Sequence, residues 1–125
     1  MIGFLRGTII ERQPTRLLID VHGVGYDVHI PLSTYEQIKA GDTQVSLQTY
    51  LHVREDVLQL YGFATLAEKK LFLQLIAVSG IGPKVALGIL SGCTVDEFYQ
   101  AVHRGEIARL KALPGIGRKT AERLI

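Results

Sequence analysis

Residues 78–90 read VSGIGPKVALGIL, and residues 113–125 repeat the pattern as LPGIGRKTAERLI at a constant offset of 35 residues. Both copies keep a Gly-Ile-Gly tripeptide, a lysine two positions after it, an alanine and a terminal apolar pair. A unit that recurs at a fixed spacing is a much stronger signal than a single short motif. The repeat therefore predicts two copies of one unit, in which a glycine hairpin joins two short helices.

Each copy combines residue types that suit a phosphate group. Glycine permits positive φ and a close approach of the backbone. The first N–H groups of the helix that follows lack intrahelical partners and lie at the positive end of its dipole, where phosphate oxygens bind. A lysine in the first turn adds a positive charge. No group here reads a base edge, so the pattern predicts sequence-independent binding to the backbone of double-stranded DNA.

The candidate phosphate-binding residues are Gly80, Gly82, Lys84, Gly115, Gly117, Arg118 and Lys119. A single copy of the pattern is compatible with a mere tight connection between helices. Two copies with the lysine at the same offset argue against that alternative.

Charge is distributed unevenly along the chain. Residues 1–62 carry five Lys/Arg against seven Asp/Glu, whereas residues 63–125 carry nine against five. This asymmetry is typical of a chain whose second half meets a polyanion. The single cysteine excludes an internal disulfide. No apolar run approaches the roughly 18 residues of a membrane span and no signal-peptide pattern opens the chain, so we expect a cytoplasmic protein.

The first half is rich in Ile, Val, Leu, Thr and Tyr, as in β-strands. Turn signals separate five segments: IGFLRGTIIE, TRLLIDV, GYDVHI, TQVSLQTYLHV and VLQLYGF. A short helical turn fits residues 33–38. Five strands with one long excursion between the third and the fourth favour an OB-fold barrel. A β-sandwich fragment is the alternative.

The second half changes to helical spacing. Two capping boxes, Thr65 with Glu68 and Thr94 with Glu97, each precede an apolar pattern of helical period. Further helices fit residues 83–90, 106–110 and 118–125. The predicted fold class is α+β with two domains, a five-stranded OB-fold barrel over residues 1–64 and an all-α domain over residues 65–125.

Other chemistry finds little support. Gly-Arg-Lys-Thr at residues 117–120 lacks the Gly-Lys pair of a nucleotide-binding P-loop, and neither Gly-Ile-Gly segment has the third glycine of a dinucleotide fingerprint. The four histidines show no metal-ligand spacing: His22, His29, His52 and His103. We expect no catalytic residue, no metal site and no cofactor.

Glu55 and Asp56 lie where the last two strands should turn. A solvated loop tip explains them simply. In a DNA-binding protein, two adjacent carboxylates on a projecting tip would also repel phosphates, which could keep strands apart or select a DNA geometry.

The chain resembles the bacterial RuvA family, the DNA-binding subunits of the Holliday junction branch migration complex. The segments that carry the resemblance are, in order, MIGFLRGTIIE, HGVGYDV, HVREDVLQLYGF, SGIGPKVALGIL and LPGIGRKTAERLI. The resemblance as a whole covers essentially all 125 residues, and the motif positions do not depart from the family.

The resemblance implies a tandem helix-hairpin-helix domain after the barrel, and a non-catalytic scaffold for recombination and repair. It implies a homotetramer, sometimes a pair of tetramers, that holds an open four-way junction, with a RuvB motor and a RuvC resolvase as partners. Glu55 and Asp56 match the acidic pin at the junction centre, and Arg123 joins the phosphate-binding positions. Because the family continues into a third small helical domain that contacts RuvB, we expect a truncated chain whose junction binding survives but whose stimulation of the motor is in doubt.

Three rival functions remain at this point. A generic helix-hairpin-helix protein would bind duplex DNA without preferring a junction. A repair enzyme such as a glycosylase would need catalytic groups beside a base-flipping pocket, for which no constellation is visible. A single-strand-binding barrel would need stacking aromatic residues, and Tyr26, Tyr50 and Tyr61 are few and dispersed.

Overall fold

β-branched and aromatic residues recur along the first half of the chain, and the computed structural model, which describes residues 1–125, forms five strands there. The strands are β1 (Phe4–Gln13), β2 (Arg16–Val21), β3 (Val24–His29), β4 (Gln44–Arg54) and β5 (Val57–Phe63). The helices are α1 (Leu32–Gln37), α2 (Leu66–Ile76), α3 (Pro83–Gly92), α4 (Val95–His103), α5 (Ile107–Lys111) and α6 (Arg118–Leu124). No helix has the length and apolar character required to cross a bilayer.

The strands close into a barrel in the order β1-β2-β3-β5-β4. Neighbouring strands are antiparallel except β3 and β5, which run parallel. Helix α1 occupies the excursion between β3 and β4. The closed barrel confirms the predicted five-stranded OB-like fold, and the sandwich alternative is wrong.

Alternate residues of the strands fill the barrel, because successive side chains of a strand point to opposite faces. The best-buried aliphatic residues of this core are Leu17, Ile19, Val28, Ile30 and Leu47. Gly62 shows how closely the core is packed: a Cβ at this position would lie 2.7 Å from Val28 Cγ1. Strand β5 therefore needs a residue without a side chain here.

The chain divides into two compact units, Met1–Lys69 and Lys70–Ile125. Helix α2 begins in the first unit and continues into the second. The domain division after residue 64 therefore stays a prediction. The second unit is helical throughout, as the fold class predicted.

The two predicted capping boxes differ in the structure. The Thr94 hydroxyl accepts from the Glu97 N–H at 3.1 Å, and the Glu97 carboxylate accepts from the Thr94 N–H at 2.9 Å, so this box is complete. The Thr65 hydroxyl likewise accepts from the Glu68 N–H at 3.2 Å. The Glu68 carboxylate reaches back to the Thr65 hydroxyl, from which it accepts at 3.4 Å, and not to the Thr65 N–H; its other oxygen accepts from the Ser33 hydroxyl at 2.5 Å. The Thr65 box therefore lacks the backbone hydrogen bond that completes the Thr94 box.

Candidate nucleic-acid interface

The repeat in the sequence is also a repeat in three dimensions. Hairpin 1 (residues 77–82) joins α2 to α3, and hairpin 2 (residues 112–117) joins α5 to α6. The first glycine of each hairpin has positive φ, 96° at Gly80 and 78° at Gly115. The second glycine of each is the N-cap of the next helix, with φ of −93° at Gly82 and −91° at Gly117.

Hydrogen bonds fix the two turns in the same way. The Ile81 N–H donates to the Val78 carbonyl at 3.1 Å, and the Ile116 N–H donates to the Leu113 carbonyl at 3.2 Å. The two isoleucine side chains are only 4% and 5% exposed. Each central isoleucine therefore anchors its turn in the core and holds the glycines on either side at the surface.

The start of each following helix leaves amide groups unpaired. The Gly82 carbonyl accepts its helical bond from Ala86 at 3.0 Å, and the Gly117 carbonyl accepts from Ala121 at 2.9 Å. The N–H groups between these residues precede the first intrahelical bond. Hairpin 2 has one such donor more than hairpin 1, because Arg118 stands where hairpin 1 has Pro83.

The predicted cations differ in their partners. Lys84 and Lys119 are exposed, and neither takes part in an ion pair. Arg118 pairs with Glu122, with 3.2 Å between Nε and Oε1. Arg123 donates from Nη1 to the Ser79 carbonyl at 3.1 Å and so contacts hairpin 1 rather than its own hairpin. The two lysines are therefore the cations that remain available to an anion.

The two hairpins each pack against the second helix of the other copy. A Cβ on Gly80 would lie 3.1 Å from Thr120 Oγ1 in α6, and a Cβ on Gly115 would lie 3.0 Å from Val85 Cγ2 in α3. Val85 and Thr120 occupy equivalent positions of the repeat. Sequence reasoning missed both residues. Their equivalent places in the repeat were a usable signal, because two copies of one unit can pack symmetrically, each with its hairpin against the same position of the other copy.

Glu55 and Asp56 form the two-residue turn between β4 and β5, flanked by the paired residues Arg54 and Val57. Both acidic residues are exposed, and neither is in an ion pair. The structure thus places them at the hairpin tip that the sequence predicted. Two uncompensated negative charges at the end of a ribbon repel any polyanion that approaches it.

The barrel offers no stacking platform of the kind that a single-strand-binding protein uses. Tyr61 is only 5% exposed, and Tyr26 packs against the barrel core. The Tyr50 hydroxyl lies 3.2 Å from His52 Nδ1, and the His52 ring meets Tyr61 edge-on. Burial, with a smaller contribution from the Arg54 charge, lowers the pKa of His52. These aromatic rings are engaged with one another and with the fold.

Comparison with known proteins agrees with both halves of this geometry. The sequence model of the RuvA N-terminal domain matches residues 1–62, and that of the SAM-like helix-hairpin-helix tandem matches residues 72–125. Relatives match over the whole chain. The chain is 55% identical to the Holliday junction branch migration complex subunit RuvA of Thioalkalivibrio sulfidiphilus, of which it covers 62%.

The chain belongs to the RuvA family. It is also 52% identical to the RuvA subunits of Alkalilimnicola ehrlichii and Ralstonia nicotianae, of which it covers 60% and 65%. It therefore spans less than two thirds of the length of these relatives. Within this RuvA-family chain, the acidic tip lies in the segment matched to the N-terminal domain, and both hairpins lie in the segment matched to the helix-hairpin-helix tandem. No group of three or more His, Cys, Asp or Glu side chains is arranged to hold a metal ion.

Proposed function

We propose that this chain binds four-way (Holliday) junction DNA through its phosphates, without reading base sequence, as the scaffold subunit of a branch migration complex. One observation carries the proposal. Two hairpins with the same turn geometry each present a glycine at positive φ, unpaired helix-start amides and a lysine without an ion-pair partner. The names of relatives that match the whole chain support the same function, since each is a Holliday junction branch migration complex subunit.

Each hairpin would hold one stretch of DNA backbone. The residues proposed for this contact are Gly80, Gly82, Lys84, Gly115, Gly117, Arg118 and Lys119, and Arg123, which contacts hairpin 1, supports it. The amides would supply directional hydrogen bonds to phosphate oxygens, and the lysines would supply charge that no ion pair within the chain neutralises. Because no base edge is contacted, affinity would depend on salt and on DNA shape rather than on sequence.

The acidic tip would act by repulsion. Glu55 and Asp56 would exclude phosphates from the centre of the bound DNA and so favour an open junction over a continuous duplex. At physiological salt the Debye length is about 8 Å, so the repulsion acts only on backbone that comes close to the tip. A repulsion of that range suits the discrimination of DNA geometry close to the tip.

The resemblance to the RuvA family supports an assembly of several subunits. We propose a homotetramer, with paired tetramers as a second form, in which each subunit holds one arm and linked contacts raise the overall affinity. The chain itself would be non-catalytic, with a RuvB motor and a RuvC resolvase as partners of the complete protein in the cytoplasm. It would serve homologous recombination and DNA repair.

A competition gel shift tests the proposal. The chain is titrated onto a synthetic four-way junction in the presence of linear duplex of equal length and base composition, at about 0.15 M salt. We expect a strong preference for the junction, and a large loss of binding when Lys84→Ala and Lys119→Ala are combined. Equal binding to both DNAs would overturn the junction proposal and leave a generic duplex-binding helix-hairpin-helix protein.

A further inference from the structure

Arg123 lies in the last turn of α6 but contacts the turn of the other motif. Its Nη1 atom donates to the Ser79 carbonyl at 3.1 Å and would lie 3.6 Å from a Cβ on Gly80. Ser79 and Gly80 are the two central residues of the four-residue turn that the Ile81-to-Val78 hydrogen bond closes. The second motif thus supplies a charged donor to the middle of hairpin 1.

We infer that Arg123 is a positioning residue, which holds the Ser79–Gly80 peptide of hairpin 1 in the orientation that presents the Gly80 N–H to a DNA phosphate. The inference rests on the proposed function and specifies how one of its residues acts. A peptide group is planar and trans, so its C=O and N–H point in opposite directions. A guanidinium that holds the carbonyl on one side therefore directs the N–H to the other.

The turn needs such a constraint. A four-residue turn with positive φ at its third residue is of type II, and its central peptide is inverted relative to type I. The φ of Gly80, 96°, is the type II value. Glycine also permits the type I conformation, in which the carbonyl would occupy the side where the N–H now lies. The hydrogen bond from Arg123 stabilises one of these two orientations.

Hairpin 2 lacks an equivalent of this contact. The position equivalent to Arg123 is Gly88, which has no side chain to reach hairpin 2. The position equivalent to Ser79 is Pro114, whose ring fixes a φ that type I and type II turns share. Proline limits the backbone of that turn without choosing the orientation of its central peptide, so the hydrogen bond from an arginine is particular to hairpin 1.

A double-mutant cycle on junction binding tests the inference. We expect Arg123→Ala to weaken binding about three- to tenfold in the otherwise unchanged chain, a range typical of coupled polar contacts. The loss should shrink in a Lys84→Ala background, because hairpin 1 is already impaired there, and should persist in full in a Lys119→Ala background. Equal losses in both backgrounds would overturn the inference, since they indicate an independent phosphate contact.

Conservative substitutions separate positioning from general structural damage. Arg123→Lys keeps a charged donor on a long side chain, whereas Arg123→Leu keeps an apolar side chain without any donor. We expect Arg123→Lys to retain part of the junction binding, because it can still donate to the Ser79 carbonyl. Arg123→Leu should lose as much binding as Arg123→Ala. Equal binding by the lysine and leucine variants would count against a role for the hydrogen bond.

A measurement without DNA keeps the two proposals distinguishable. In amide nuclear magnetic resonance spectra, Arg123→Ala should move the Gly80 and Ile81 signals and leave those of Gly115 and Ile116 in place. Unchanged Gly80 and Ile81 signals would overturn the inference. If those signals move but the unaltered chain shows no preference for a junction, the proposed function fails while the restraint on hairpin 1 stands.

Discussion

The four hairpin glycines look alike in the sequence, but they differ in what the backbone requires of them. Gly80 and Gly115 have positive φ, which L side chains rarely adopt, whereas Gly82 and Gly117 are in extended conformations open to any residue. A Cβ on Gly117 would meet nothing within 4 Å, but one on Gly115 would lie 3.0 Å from Val85. The sequence identified all four as functional candidates and could not divide them.

Gly115→Ala is expected to lower the free energy of unfolding by about 1–2 kcal/mol, the cost of a side chain in the left-handed region. Crowding against Val85 would add to the loss. Gly117→Ala is the matched control, two residues away; it meets no positive φ and should destabilise the chain less, by the preference of the N-cap position for glycine over alanine. Urea unfolding of the two variants measures both. Equal destabilisation would show that the different φ values do not matter.

At the scale of helices and strands, the sequence predicted most of the fold because local rules determine it. Turn residues bounded the five strands, and the Thr94 capping box marked the start of α4. The hydrogen bond from the Ser33 hydroxyl to the Glu68 carboxylate could not be predicted, because the two residues are 35 positions apart and no local rule connects them. The same limit applies to the candidate site. Its glycines and lysines could be predicted from the repeat, but the contact of Arg123 with Ser79 could not, because it depends on how the two copies pack together.

The Thr94 capping box should be visible as a pH dependence of stability. Hydrogen bonds from the Thr94 backbone and side chain, and the Arg109 charge to a smaller extent, hold the pKa of Glu97 below its ordinary value of 4.5. The unfolded chain therefore takes up this proton at a higher pH than the folded chain. The stabilisation is present above pH 4.5 and is lost as the pH falls through the lower, folded-state pKa.

Thermal unfolding of Glu97→Gln against the unaltered chain measures this contribution. The difference in Tm should be largest near neutral pH and should shrink as the pH falls below about 4. Asp96→Asn is the control, because Asp96 lies in the same first turn but takes no part in the box. An identical pH profile for both variants would assign the effect to the helix dipole rather than to the capping hydrogen bonds.

For the whole molecule, two parts with opposite charge would act on one DNA: hairpins that attract phosphates and a tip that repels them. The hairpins alone explain binding but give no reason for a junction to be preferred over a duplex. In the proposed function the tip would supply that reason, since Glu55 and Asp56 take part in no ion pair within the chain. Selectivity and affinity should therefore separate when the tip is altered.

The double variant Glu55→Gln/Asp56→Asn should bind linear duplex about three- to tenfold more tightly at 0.15 M salt, because two charges that repel nearby phosphates are removed. Junction affinity should rise less, since an open junction keeps its backbone away from the tip, and the preference for the junction should fall. Glu36→Gln, which removes one exposed charge from α1, shows how much a single charge away from the tip changes binding, and twice that effect is the part of the double variant's change that net charge explains. Competition gel shifts measure both affinities. If the double variant tightens both complexes equally, the tip contributes to net charge alone, and selectivity must arise from how the subunits assemble on the DNA.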